Sequence, residues 1–377
     1  MAATDKITRS DHAYPTIIYH LVRLKMAMGE VVEARKILNR VIAEDAPSMP
    51  ISAQNQFLEK RAQLARGMND FLKASQHKPV AFYRYGSIAT VRELLEVEKE
   101  SWDPKWSNHT REQHEEEAEK EFKDLLPWDD RFIFDARTVD ILNWHFSVAS
   151  LIEAARNPNL PDYLQRNLML AGWTRAIVLR NDKAALEIAP DVLQLAPELG
   201  PEFGPYMKAE TLKERRQSAL YVLLKHAGLS PYLIEGLPEF PTNEELDYYL
   251  ETSWWCPLDL TDYTDEGKEF PRAIPKPSFL SPVELETARR ERVAMLALGD
   301  AKSYLGKQVL EWARTSPSDP RLPEALFIAV KANESYKYGC DSWNFDEVTR
   351  NKALSLLRKR FPLSPWTVKL KDEEDNN

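Results

Sequence analysis

The stretch that decides the fold is Tyr14–Ala46, YPTIIYHLVRLKMAMGEVVEARKILNRVIAEDA. Ile17, Ile18, Leu21 and Leu24 recur at the spacing of one helical face. Gly29 interrupts, and Val31, Ala34, Leu38, Val41 and Ile42 resume the period. Two helices joined by so short a break must run antiparallel. The small Ala34 permits close approach, and Leu38 and Val41 fill the seam.

With Gly29 near the turn, Ala34 and Leu38 at the crossing and Pro47 closing the unit, this hairpin resembles a tetratricopeptide repeat. The Trp and Tyr positions usual in the first helix of that family are not matched. A second resemblance lies near the C-terminus. Pro323 opens a helical pattern with Ala325, Leu326, Ala329 and Val330, and Gly339 follows it. Phe345, Val348, Leu356, Leu357 and Phe361 suggest its partner, closed by Pro362. The run from Ala353 to Trp366, ALSLLRKRFPLSPW, looks like the repeat ends of bacterial envelope tetratricopeptide proteins. The resemblance implies an all-α chain of antiparallel helix hairpins stacked as an α-solenoid, irregular in the middle, with a concave surface for a protein or peptide partner.

Between the two ends the helical reading continues. Helices are expected over Ser52–Lys73, Arg111–Leu125, Thr138–Ala155, Asp182–Leu195 and Ala209–His226, with another beginning near Pro161. Thr242 with Glu245, and Ser281 with Glu284, have the spacing of capping boxes. Gly299 ends one helix and Asp300 caps the next. Gly200-Pro-Glu-Phe-Gly204 reads as a connection, Trp102–Ser107 as a turn, and Pro257–Leu280, with four prolines, as a long stiff loop. The expected division is a helical repeat region over 1–158, a central helical region over 159–256, the loop over 257–280, C-terminal hairpins over 281–370 and a flexible acidic tail over 371–377. The apolar face of the first helix has no polar capping helix before it, so further helices are expected upstream of Met1.

Composition narrows the function. The chain has 377 residues, a formal net charge of -9 and only 12 glycines. An acidic balance opposes broad nucleic-acid binding. No apolar run reaches the roughly 20 residues that span a bilayer, and the first ten residues lack a secretory h-region. A cytoplasmic location follows if Met1 is the natural start. A periplasmic or envelope location follows if the chain is part of a longer exported protein. Cys256 and Cys340 carry no zinc spacing. They are either two structural thiols or a disulfide, which needs an oxidising compartment.

Motifs for chemistry are sparse. His109 and His114 stand five apart, which turns them to different helix faces. Asp129, Asp130 and Asp135 form a DDxxxxD string. Such aspartates can hold magnesium, but they also cap a turn entering a helix. No GxGxxG, Walker, GxSxG or HExxH sequence occurs, and no cofactor or metal is implied. His20, His145 and His226 lie in helical runs. Trp144, Trp173, Trp312 and Trp343 read as core. Trp254 and Trp255 are adjacent, so one helix face cannot bury both. With Tyr248 and Tyr249 beside the proline-rich loop, they are the expected partner-binding residues. The expected function is a non-catalytic helical scaffold or adaptor. The alternative is an all-α enzyme whose carboxylates converge from distant helices.

Overall fold

The computed structural model describes residues 9, 11–80, 82–84, 87–105, 107–123, 126–234, 254–264, 266–332 and 346–375. Helices account for most of them, and the strands are two hairpins of three-residue strands, so the all-α class holds. The Thr242–Glu245 cap, Gly339, Trp343 and Phe345 lie outside the described residues.

The opening hairpin forms as α1 (Tyr14–Ala27) and α2 (Val31–Arg40). Gly29 takes φ +75°, which a Cβ would disfavour. Its N–H donates to Met26 O and that of Glu30 to Lys25 O, satisfying carbonyls that the helix end leaves open. α2 runs on into a π turn over Val41–Asp45. With α3 (Ile51–Gln63) it encloses a small core of Tyr14, Ile18, Val22, Ala34, Leu38 and Phe57.

The helix expected over Ser52–Lys73 is two. Gly67 is extended, and α4 (Met68–Ala74) starts afresh. Asp70 accepts from Arg66 N at 3.0 Å and pairs with Arg61 at 2.6 Å, which stabilises the break. The hairpin of β1 (Phe82–Arg84) and β2 (Ser87–Ala89) follows. Next come α5 (Val91–Glu100) and α6 (Arg111–Phe122), each opened by a threonine capping box. They pack on each other around Val91, Leu94, Leu95 and Phe122.

Residues 138–155 also divide, into α7 (Ala136–His145) and α8 (Val148–Ala155). Phe146 is extended and Ser147 caps α8, accepting from Ser150 N at 3.2 Å. α9 (Asp162–Val178) follows Pro161. The run from Asp182 splits into α10 (Asp182–Glu187) and α11 (Ala189–Leu195), because Pro190 lacks the N–H that would continue the ladder. The stretch from Gly200, read as a connection, is instead α12 (Gly200–Lys208). Phe203 and Tyr206 meet Trp173 of α9 at ring distances of 4.7 and 5.5 Å, and this tertiary burial outweighs the glycines and prolines. α13 (Leu212–Lys225) packs on α12.

After the 257–280 segment, which carries the hairpin of β3 (Thr261–Tyr263) and β4 (Glu269–Pro271), come α14 (Pro282–Leu296) and α15 (Ala301–Thr315). Both expected caps form: Ser281 with Glu284, and Asp300 accepting from Ser303 N at 2.8 Å. α16 (Leu322–Ala332) and α17 (Glu347–Arg360) pack together, and α18 (Pro365–Asp375) ends the described chain. α18 runs through Asp375, over the first residues of the stretch read as a tail. Trp366 stacks near Phe327 at 5.2 Å and Leu370 is buried, so the helix has an apolar anchor.

Sequence neighbours pack most closely, as α8 on α9, α12 on α13 and α16 on α17. One long-range closure crosses this order. α14 returns to α7, where Arg292 lies 4.6 Å over the Trp144 ring, and to the start of α8, where Glu291 accepts from Val148 N at 2.7 Å. A main core consequently extends from Ala65 to Leu370. Arg175 of α9 sits within it, fully buried, and donates to Phe146 O at 2.6 Å and Pro231 O at 3.0 Å. Burial lowers its guanidinium to about 10, still charged at neutral pH. Among the described residues no helix is long and apolar enough to cross a membrane.

Candidate functional site

The chemical strings in the sequence resolve into structural work. Asp129 accepts from Val91 N at 2.9 Å, capping α5 from outside, and Asp130 pairs with Arg92 at 3.0 Å. Asp135 caps α7 through Thr138 N at 2.8 Å and lies 3.2 Å from His77 Nδ1. The three aspartates thus face three different tasks, and Asp135 alone caps the helix that the string enters. His109 contacts Glu117 at 2.9 Å, whereas His114 lies 2.8 Å from Glu98 O. His145 and His226 have partners in Ile274 O and Glu202, at 3.0 and 3.2 Å. Among the described residues no group of three or more His, Cys, Asp or Glu side chains could hold a metal ion.

The aromatic candidates separate. Tyr248 and Tyr249 lie outside the described residues. Trp255 is buried in the main core, 6.4 Å from the Tyr304 ring, and its carbonyl accepts from Ala301 N at 3.2 Å. Trp254 is half-buried against that core. Cys256 is disulfide-bonded. Cys340, the chain's other cysteine, lies outside the described residues.

Two clefts meet at the corner between α9 and α10. The first, about 540 Å³, opens between the end of α9, α13 and α15. Ile177, Leu220 and Trp312 supply apolar wall, and Arg321 lies 5.2 Å from the centre of the Trp312 ring. Arg180, Lys213 and Arg216 bring positive charge to it. The acid in its lining is engaged, Glu311 pairing with Arg314 at 2.6 Å, and Arg216 is tied to Asp182 by a two-pronged bond at 3.0 and 2.7 Å. The Arg314 guanidinium holds the Glu311 carboxyl below its ordinary range. Burial pushes the Tyr304 hydroxyl up. Arg180 donates to the neutral Gln308 amide and Lys213 to Thr315 O. Among the described residues, neither cation faces a carboxylate.

Arg180 is the described non-glycine residue with positive φ, at +60°. It occupies the position in the α9 end that Gly29 occupies after α1. Asn181 N donates to Ala176 O at 2.8 Å and Arg180 N to Ile177 O at 3.1 Å. A side chain there costs about 1 kcal/mol relative to glycine.

The second cleft, about 730 Å³, lies between α4, α8, α10 and α14. Met68, Ile152 and Ile188 line it beside Glu153, Glu187 and Glu291. Burial raises the Glu291 carboxyl, against the pull of the Val148 N–H and Arg175. Arg180 borders the first cleft and Asn181 the second, so consecutive residues divide a basic site from an acidic one.

Sequence reasoning did not find Arg180, Lys213, Gln308 or Glu311, because they come from separate helices and form no motif. The junction Leu179-Arg180-Asn181 contains no glycine, yet Arg180 takes the left-handed position there. Compared with family models, curated proteins and solved structures, the chain matches none of them.

Proposed function

We propose that the protein is a non-catalytic helical scaffold that docks a segment of a protein partner, seated in the cleft between α9, α13 and α15. The observation that carries this reading is the cleft's build. Packed helices hold an apolar wall and two cations, Arg180 and Lys213, bonded to neutral oxygens, while Glu311 in its lining is paired with Arg314. The sequential helix pairs support a tetratricopeptide-like stack at the two ends, with the return of α14 to α7 closing the middle. The bond at Cys256 favours an oxidising compartment and hence the periplasmic or envelope alternative.

A second reading rests on Glu291. A buried carboxyl of raised pKa beside Glu153 and Glu187 suits the dispersed-carboxylate enzyme.

A photo-crosslinker at Gln308, compared with one at Trp254 and one on the remote, exposed Arg290, tests the docking reading. Saturable capture of one protein at Gln308, followed by stoichiometric binding of that purified protein, is the expected result. Capture that is equal at Arg290, or confined to Trp254, refutes the assignment of this cleft. A Glu291→Gln variant that retains full partner binding leaves the scaffold reading intact.

A further inference from the structure

We infer that the cleft between α9, α13 and α15 selects an acidic peptide segment with a large apolar side chain, its carboxylates meeting Arg180 and Lys213. This rests on the docking reading above and specifies its ligand. Within a chain of net charge -9, Arg180 and Lys213 stand on one cleft and both donate to neutral oxygens. Exposed charges beyond about 8 Å are screened at physiological salt, and the nearest groups therefore set the field a ligand meets. Those groups are Arg180, Lys213 and the Arg216–Asp182 pair, with Glu311 held by Arg314. A ligand carboxylate can displace the neutral partners of the two cations, the Gln308 amide and Thr315 O, without breaking an ion pair. Exposed ion pairs are individually weak, so binding also needs the apolar wall, where exposed Leu212 stands beside half-buried Ile177.

The adjoining cleft supplies an internal control. Glu153 and Glu187 give it the opposite charge, and Arg180-Asn181 forms the divide. A segment of reversed charge belongs on that side of the corner.

The test uses the full chain and three labelled short peptides: alternating glutamate and leucine, alternating lysine and leucine, and alternating glutamate and serine. Fluorescence anisotropy at about 25 and about 150 mM salt follows binding. The glutamate–leucine peptide should bind saturably and more tightly at low salt, the glutamate–serine peptide weakly, and the lysine–leucine peptide should not compete. Arg180→Gly and Lys213→Ala should each weaken binding about threefold, and together about tenfold. Melting temperature should not fall with Arg180→Gly, because glycine suits the positive φ. Glu187→Gln should leave binding unchanged. Equal binding by the double variant, competition by the lysine peptide, or displacement by inorganic phosphate at constant ionic strength overturns the proposal. If the protein captured at Gln308 docks through a basic or uncharged segment, the docking reading stands and the acidic selection falls.

Discussion

Replacing Asp135 by Asn separates two jobs that one carboxylate performs. The side-chain oxygen caps α7, accepting from Thr138 N at 2.8 Å, and an asparagine oxygen can do the same. The charge faces His77, which is buried and held to the same segment by the backbone pair His77 N to Ile133 O at 3.0 Å and Ile133 N to His77 O at 2.7 Å. Burial raises the Asp135 carboxyl, but the His77 imidazole and the Thr138 donors outweigh it and bring it from 3.8 to about 2. A carboxyl whose folded pKa is depressed contributes stability above its unfolded value and loses that stability as pH falls through the folded one. The gap corresponds to about 2.4 kcal/mol, present above about pH 4 and gone near pH 2. Asp135→Asn should therefore unfold at lower urea at about pH 5, by about 2 kcal/mol, and the difference should close between pH 4 and 2. Urea titrations of both proteins across that range measure it. If the two proteins are equally stable at about pH 5, or if their difference persists unchanged to pH 2, the latch between His77 and Asp135 does not act as described.

Arg175→Met leaves the carbonyls of Phe146 and Pro231 without their donor in a site that water does not reach, and should cost about 2–5 kcal/mol in urea unfolding; unchanged stability would mean that the segments relax to new partners. Trp255→Ala should lower stability by about 3–5 kcal/mol, as expected for a core ring, while Trp254→Ala costs less; loss of partner binding by Trp254→Ala with its melting temperature preserved would place docking on the aromatic segment and not on the cleft. Protein purified without reductant from an oxidising compartment should show no alkylatable thiol, and reduction should lower its melting temperature; two alkylatable thiols before reduction would contradict the bond at Cys256.

The sequence by itself determined the elements whose causes are local. Helical periodicity and Gly29 specify the first hairpin, and Ser281, Glu284 and Asp300 specify helix starts, because a cap is built from residues three apart. The cap that Asp135 gives α7 was legible for the same reason, whereas the work of Asp129 and Asp130 at the start of α5, 38 residues away, was not. Only the tertiary structure decided the rest. α12 forms across a glycine- and proline-rich stretch because Trp173, more than 25 residues earlier in the chain, buries Phe203 and Tyr206. The return of α14 to α7 depends on contacts such as Arg292 with Trp144 that leave no periodic trace. The candidate cleft belongs to this second kind. Its cations become a site only when α13 and α15 bring Lys213 and Gln308 beside Arg180, and charge pairing is a property of distance in space that spacing along the chain does not encode.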